Sequence, residues 1–467
     1  MTDQHGTTAA LPEAIRSWLQ EITRAARIHA RRRPGGGRRE AWLIDAQQPN
    51  GTVQSLFLRF DHSNPAATGD PFTLNREARF YAALQNTGVP VPRLLACHPT
   101  LQAMLCERVE GQAWFSRLQD ENTRLAIARE FMRKLAALHR VDPARVQIDE
   151  PRSPLRRCVE ADIARWESLY RFADPPKDPT IEFGLAWLKA NIPDVDVDPV
   201  IVQGDTGPGN FLYSNGRITA VLDWELAHFG DPMADLGWLA LRAVQEPFTC
   251  FADRLADYEK FSGTTVDLDR VRYYRLLAEF KVVVLGFRRT IEADIHGEVG
   301  NTLIYETLHN TLLADALAEQ YGLSGEIPVQ LDGEHTDRQW LYDTILAQLK
   351  DIIVPATNEP FAAVRGKGLA RIVKYLREID RRGLAAEQQE LDALEKVLGR
   401  RPDTIDEGRR QLADQIDQDS LTNIDIVGYL LIRARLQHEL MRPAMGVLAS
   451  RRFDPLPDEL STRSDTR

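Results

Sequence analysis

The chain has 467 residues, room for about three folding units at roughly 150 residues each, so a single small module is excluded. With 58 Lys+Arg against 68 Asp+Glu, the net charge of −10 disfavours wholesale binding to nucleic acid or an anionic membrane, and any phosphate site must be local. At 43% hydrophobic and 27% charged residues, the composition is that of an ordinary globular protein with enough apolar mass for a full core.

The segment LPEAIRSWLQEITRAARI carries Leu11, Ala14, Ile15, Trp18, Leu19 and Ile22 at helical spacing, which predicts a leading helix that ends at the glycines of ARRRPGGGRRE. The runs AWLIDA and VQSLFLRF follow, separated by QQPNG, and Asn50-Gly51 predicts a tight β-hairpin. A helix from about Leu74 to Gln85, a Gly stop, a Pro-marked loop and two strands (RLLAC and LQAMLCERVEG) complete a small sheet-based unit. From about Trp114 to Ile192 the apolar spacing is helical, as in TRLAIAREFMRKLAALHRV. Two β runs, VIVQGD and GRITAVLDWE, then form a small hairpin before helices resume through Tyr321.

Gly, Pro and acidic residues over 322–336 predict a linker, with a boundary near 330. Beyond it four amphipathic segments, beginning at Asp337, Ala362, Ala385 and Asn423, predict an independent all-α bundle over 331–467. Cys97, Cys106, Cys158 and Cys250 have neither disulfide nor zinc spacing and read as buried thiols. The N-terminus has no signal-peptide pattern. Apolar stretches such as Val282–Leu285 and Ile426–Ile432 fall far short of the ~20 residues that span a membrane, so a cytoplasmic protein is expected.

Residues 200–239, VIVQGDTGPGNFLYSNGRITAVLDWELAHFGDPMADLGWL, concentrate the chemistry. Phosphoryl transfer from a nucleotide needs one carboxylate to orient, or take a proton from, the attacking hydroxyl. It also needs an amide and a second carboxylate to hold Mg²⁺ on the phosphates. Asp205, Asn210 and Asp223 supply that set: a Gly207-Pro208-Gly209 turn bends the first two toward one pocket, and Asp223 ends the apolar strand ITAVL. The plain alternative is that Asp and Asn in Gly/Pro loops are ordinary turn formers.

The ordered combination QGDTGPGN, ITAVL, DWE and GDPMADL resembles the aminoglycoside phosphotransferase family of small-molecule kinases, whose pattern is roughly HGDxxxxN, a strand, D-[FW]-[DE] and GDPxxDL. Gln203 departs from it, standing where His is usual; a Gln, with donor and acceptor, can buttress the loop instead. The resemblance covers about residues 15–325. It implies an α+β fold of the two-lobed protein-kinase-like type: a small β-sheet N-lobe over 1–106 that binds nucleotide, and a mainly helical C-lobe over 107–330 for catalysis and substrate. The bundle over 331–467 lies outside it.

By the same resemblance, Gly35, Gly36 and Gly37 would cover the phosphates and Arg59 would meet them, paired with Glu77. The backbone of Glu107–Val109 would face an adenine ring. Asp205 would be catalytic, Asn210 and Asp223 would bind Mg²⁺, and Asp231 and Asp235 would brace the catalytic loop. Glu225 is left between a metal-assisting and a surface role, and His228 is not assigned one. An Arg at position 59 is similar to the branch represented by kinase-like domains fused to acyl-CoA dehydrogenases. The implied activity is ATP- or GTP-dependent phosphorylation of a hydroxyl on a small metabolite, a hydroxy acid or hydroxyacyl-CoA in preference to an aminoglycoside. The alternative is a nucleotide-binding regulatory or scaffold protein that has lost catalysis. Neither nucleic acid nor membrane is expected as a partner, and the bundle would serve homo-oligomerisation or partner binding.

Overall fold

The computed structural model describes residues 11–33, 39–63, 65, 69–292, 295, 297–323, 327–333 and 336–457. They divide into two compact units, one built from residues up to Cys158 with Asp196–Val266 and the chain end from Leu456, the other from Val159–Val195 and Asp267–Pro455.

The first unit opens with α1 (Glu13–Thr23), whose Ile15, Trp18 and Leu19 are buried at the expected helical spacing. The helix stops earlier than expected, at Arg24 in the left-handed conformation (φ 54°). Arg27–Arg33, read as helix from the sequence, is a strand, β1. It pairs antiparallel with β2 (Arg39–Gln47), which pairs with β3 (Val53–Asp61). This arginine-rich run alternates only briefly, with Ile28 and Ala30 between Arg27, His29 and Arg31, too short a period to read as a strand. It suits a sheet edge, where Ile28 faces the core and the charges stay wet.

The β2–β3 hairpin forms as expected, although its loop is wider than a two-residue turn. Register closes at Gln47 and Val53, and Gly51 alone in that loop has positive φ (86°). After α2 (Leu74–Leu84), capped by Thr73, come β4 (Leu94–Cys97) and β5 (Gln102–Glu107), giving a five-stranded sheet of order β1-β2-β3-β5-β4. Its core joins α1 to the inner face of the sheet through Trp18, Leu19, Trp42, Ile44, Leu56 and Leu58.

The helical part of this unit begins with α3 (Glu121–Leu138), capped by Asp120. The β segments after residue 200 make two ribbons, not one hairpin. β6 (Val200–Val202) pairs with β9 (His228–Gly230), and nested between them β7 (Phe211–Ser214) pairs with β8 (Arg217–Val221). α6 (Pro232–Gln245) and α7 (Phe251–Ser262) follow; their numbering leaves α4 (Leu155–Arg171) and α5 (Pro179–Ala190) to the second unit, which α4 enters after its first turn.

The second unit is all-α: most of α4, then α5, α8 (Leu268–Ile291), α9 (Val299–Gln320), α10 (Gln339–Gln348), α11 (Pro360–Leu398), α12 (Ile405–Gln415) and α13 (Ile424–Met445). Two of the four expected segments fuse into the 39-residue α11. Gly383 does not break it, because one Gly costs a helix only about 1 kcal/mol and packing on α13 exceeds that.

The units cut the chain differently from the boundary expected near 330. Val329 and Leu331, placed in the linker, pack on the cluster of Ala386, Leu436 and Leu440. The Tyr321 hydroxyl donates to the Leu421 carbonyl at 2.7 Å, and Arg433 of α13 holds Asp178 at the start of α5 at 2.6 Å. Polar linker composition hid a docked segment. Cys106 and Cys158 are buried as expected, but Cys97 is half-buried and Cys250 is exposed. No described helix is long and apolar enough to cross a membrane.

Candidate active site

The loop after β6 is shaped by glycines that nothing else can replace. Gly204 has φ +81°, and a Cβ there would lie 2.3 Å from the Leu226 carbonyl oxygen; at Gly207 (φ +140°) a Cβ would meet Arg242 Cβ at 2.7 Å. The loop is then fastened from below by Asp235, fully buried in the first turn of α6. Its carboxylate accepts the N–H groups of Gln203 and Gly204, each at 2.9 Å, and the Thr206 hydroxyl, and faces His139 Nε2 at 3.0 Å. Burial alone would raise its pKa. The hydrogen bonds from His139, Thr206 and Gly204 outweigh burial and hold Asp235 below the usual carboxylate range. Asp231 caps α6 by accepting the Met233 N–H.

Asp205 is held at the mouth of this loop. Oδ1 accepts from Trp238 Nε1 at 2.6 Å and from Arg242 Nε at 2.7 Å; Oδ2 accepts from Asn210 Nδ2 at 2.6 Å and from the Arg242 guanidinium. Asp235, Trp238 and Arg242 sit at i, i+3 and i+7 on one face of α6, so one helix both props the loop and grips its carboxylate. His139, Trp238 and Arg242 were not singled out from the sequence. The i, i+3, i+7 spacing after GDP was the available signal for two of them, whereas His139 at the end of α3 carried none.

Asp223 follows β8 in the left-handed conformation (φ 59°). Gln203 secures this turn: its Nε2 donates to the carbonyls of Leu222 (3.0 Å) and Asp223 (2.9 Å). Leu222 N–H in turn donates to the Asn210 carbonyl at 2.8 Å, which ties the two expected metal-binding residues together. Gln203→Ala leaves two carbonyls without their donor at a position only 2% exposed. A melting temperature lower by about 3–10 °C is expected, from roughly 1–3 kcal/mol per stranded buried group, and Gln203→His should recover part of it. Calorimetry on both variants checks this.

Above the turn, Arg59 of β3 contacts Glu77 Oε1 (2.9 Å), Asp223 Oδ1 (3.1 Å) and Glu225 Oε2 (3.3 Å). The expected Arg59–Glu77 pair therefore forms, and it includes Asp223 from 164 residues away. Arg39, the first residue of β2, is a second buried guanidinium here. It donates to Glu225 and to the Phe72 carbonyl and lies 3.6 Å from Asp61; the sequence had shown it only as part of an arginine cluster. Glu225 thus belongs to this ionic cluster, its side chain 29% exposed, and His228 is a buried member of β9 whose Nδ1 faces the Leu226 carbonyl.

Burial pulls against the charge of each acid, and the arginines decide the outcome. For Asp223, Arg59, Arg39 and Arg242 overcome burial and keep it below its ordinary pKa. Glu225 is pushed up to about 7, first by burial and then by Asp223 beside it, with Arg39 and Arg59 only partly compensating. Glu77, wholly enclosed, is likewise raised by burial despite Arg59. Burial would weaken Arg59's hold on its proton, but Asp223, Glu77 and Glu225 raise its pKa well above normal.

Gly35, Gly36 and Gly37 lie outside the described residues. At the end of β5, the Glu107 N–H expected to face an adenine is already given to the Arg93 carbonyl (2.9 Å), and Arg108 N–H goes to Ser55 (3.1 Å), because sheet pairing continues past the strand. Val109 is half-buried beyond them.

The sequence profile of the phosphotransferase enzyme family matches residues 29–274, which contain every residue of this constellation. The chain belongs to that family. Among curated relatives, rat acyl-CoA dehydrogenase family member 11 is 30% identical over 178 residues, covering 36% of this chain and 23% of that protein. Mouse acyl-CoA dehydrogenase family member 10 is 28% identical over 178 residues, covering 36% and 16%. The match thus spans about a quarter or less of these relatives' length. Similar solved structures include a thermostable mutant of aminoglycoside phosphotransferase APH(4)-Ia in ternary complex with ADP and hygromycin B (19% identity, TM-score 0.43, covering 60% of this chain and 93% of that one). Another is an aminoglycoside-3′-phosphotransferase of type VIII (21% identity, TM-score 0.42, covering 58% and 100%).

Proposed function

We propose that this phosphotransferase uses ATP or GTP with Mg²⁺ to phosphorylate a hydroxyl of a small metabolite. The observation that carries the reading is the contact of Arg59 with both Glu77 and Asp223, which joins a cation on the sheet to a carboxylate beyond β8. Arg59 and Arg39 would neutralise the nucleotide phosphates, with Glu77 holding Arg59 in place. Val109, the residue of the 107–109 segment past the committed N–H groups, is where an adenine edge would be met.

The donor set fits Mg²⁺, which takes one or two carboxylates plus phosphate oxygens instead of a dedicated protein cage. Among the described residues no cluster of three His, Cys, Asp or Glu offers such a cage. Asp223 is held as an anion by its arginines, and Asn210, having turned its amide N–H₂ toward Asp205, has its carbonyl oxygen left for a hard cation. The ion would draw charge off the transferring phosphoryl group.

Asp205 acts on the acceptor. Four donors fix its carboxylate, so it orients the hydroxyl more than it strips it, and receives the proton as the new P–O bond forms and the bond to the leaving nucleoside diphosphate breaks. Gln203 supplies the buttress expected of the usual His, which favours a working enzyme over a scaffold that has lost catalysis. A hydroxy acid or hydroxyacyl-CoA is the preferred acceptor. Support comes from the names of the acyl-CoA dehydrogenase relatives and from Arg59 itself.

Mg-ATP or Mg-GTP at millimolar concentration is expected to raise the melting temperature, since a ligand of the native state alone stabilises it by about 2.7 kcal/mol at a hundred times its Kd. Asp223→Ala should abolish the Mg²⁺-dependent part. Melting indifferent to nucleotide and Mg²⁺ in the unaltered protein would remove the reading's main support.

A further inference from the structure

Residues 336–377 form a helical hairpin in which α10 and the first half of α11 run antiparallel, tied by Arg377–Asp343 (3.0 Å) within it and by Arg338 to Asp380 just beyond it. Gly300 of α9 approaches it closely, at the Gly368 backbone. Among the described residues of this stretch only Leu349 and Gly366 are buried. α10 itself has no buried residue although it is rich in large apolar side chains.

Large apolar side chains are exposed along the hairpin: on α10 Trp340 (64%) and Ile345, in the π-helical turn after it Ile352 (62%), and on α11 Leu369 (54%), Leu376 and Ile379. Scaled by side-chain size, the apolar surface of the hairpin comes to on the order of 1,000 Å², beyond the few-hundred-Å² patch usual on a monomer. It matches the roughly 800 Å² that each partner brings to a standard interface. A helix that buries none of its apolar stripe has little reason to stay ordered in water.

We propose that the hairpin is a dimerisation arm, with two copies of the chain pairing their α10–α11 faces about a two-fold axis into a four-helix bundle. Two hairpins supply the four helices such a bundle needs, and a two-fold axis makes one patch its own complement. Leu369, Ile372, Leu376 and Ile379 follow three- and four-residue spacing, with Leu at the first and Ile at the second position of each pair. The arm contains none of the phosphoryl-transfer residues, so the proposal stands apart from the proposed substrate.

Light scattering on the full chain across the micromolar range is expected to give twice the chain mass. Trp340→Glu combined with Leu369→Glu should give a monomer with unchanged circular dichroism. Val447→Glu, at another exposed apolar position (73%) outside the arm, should leave the dimer intact. A monomeric unaltered chain overturns the proposal, as does a double variant that remains a dimer. Hydrogen exchange on the unaltered chain needs no substitution: protection within 340–379 should rise with protein concentration, and protection independent of concentration overturns the proposal equally.

Discussion

Asp205→Asn is expected to lower turnover by roughly 10²-fold or more while leaving nucleotide affinity within about twofold, because orienting and proton-accepting groups act chiefly in the transition state. The substitution keeps the side chain's size and one oxygen. It removes the charge that Arg242 grips from two directions and puts an N–H₂ against either Arg242 or Asn210, both donors. The acceptor hydroxyl then loses the group that fixes its direction. Arg59 and Asp223, which face the nucleotide in this reading, are not among Asp205's hydrogen-bond partners. Nucleotide-dependent melting should therefore survive where turnover does not, and single-turnover assays would separate the two. Unchanged turnover would mean that another group does this work.

Much of the site was legible because its chemistry lies in one stretch of sequence. Asp205, Asn210 and Asp223 are spaced by a glycine turn and a strand; as residue types they are also ordinary turn formers, and their order within QGDTGPGN, DWE and GDPMADL is what singled them out. Arg59 and Glu77 were legible through the order of elements. Arg242, Trp238 and His139 were not, because each acts through a partner that only folding brings near: Asp205 is 37 residues from Arg242, and Asp235 is 96 from His139. Arg39 was hidden for a different reason. One buried arginine in a run of seven between Arg24 and Arg39 looks the same as its solvated neighbours.

The fold shows the same division. Apolar periodicity located α1, α2, α3 and the amphipathic C-terminal segments, while β1 was missed because its alternation is confined to Ile28 and Ala30 before three arginines in a row. Composition placed a linker where the chain is polar, but polarity does not report docking. Val329 and Leu331 are two of four apolar residues in that fifteen-residue stretch, enough to pin the segment to α11 and α13 and too few among its Gly, Pro and acids to read as an element.

A chain ending at Asp332 is accordingly expected to lose the second unit's fold, not merely a lid. The cut removes α10 to α13, so that α5 loses α12 and α9 loses α11 and α13, while both keep α8. Asp178 loses Arg433, held at 2.6 Å, and Asp315 loses Arg435. Burial pushes the Asp178 carboxyl up, and the guanidiniums of Arg433 and Arg409, with the Thr180 N–H, bring it below its usual range, so the cut leaves a largely buried charge with only its backbone donors. Breaking such a pair costs on the order of 3–5 kcal/mol. Tyr321 loses its acceptor at Leu421, and the apolar face that α9 turns to α13 is uncovered. The truncated chain should aggregate, or melt at least about 10 °C below the full chain, with protease cleavage concentrated in α8 and α9. Circular dichroism melts and limited proteolysis on the two chains decide it. A truncated protein that stays soluble and melts with the full chain would show that the helices before 330 hold their core alone.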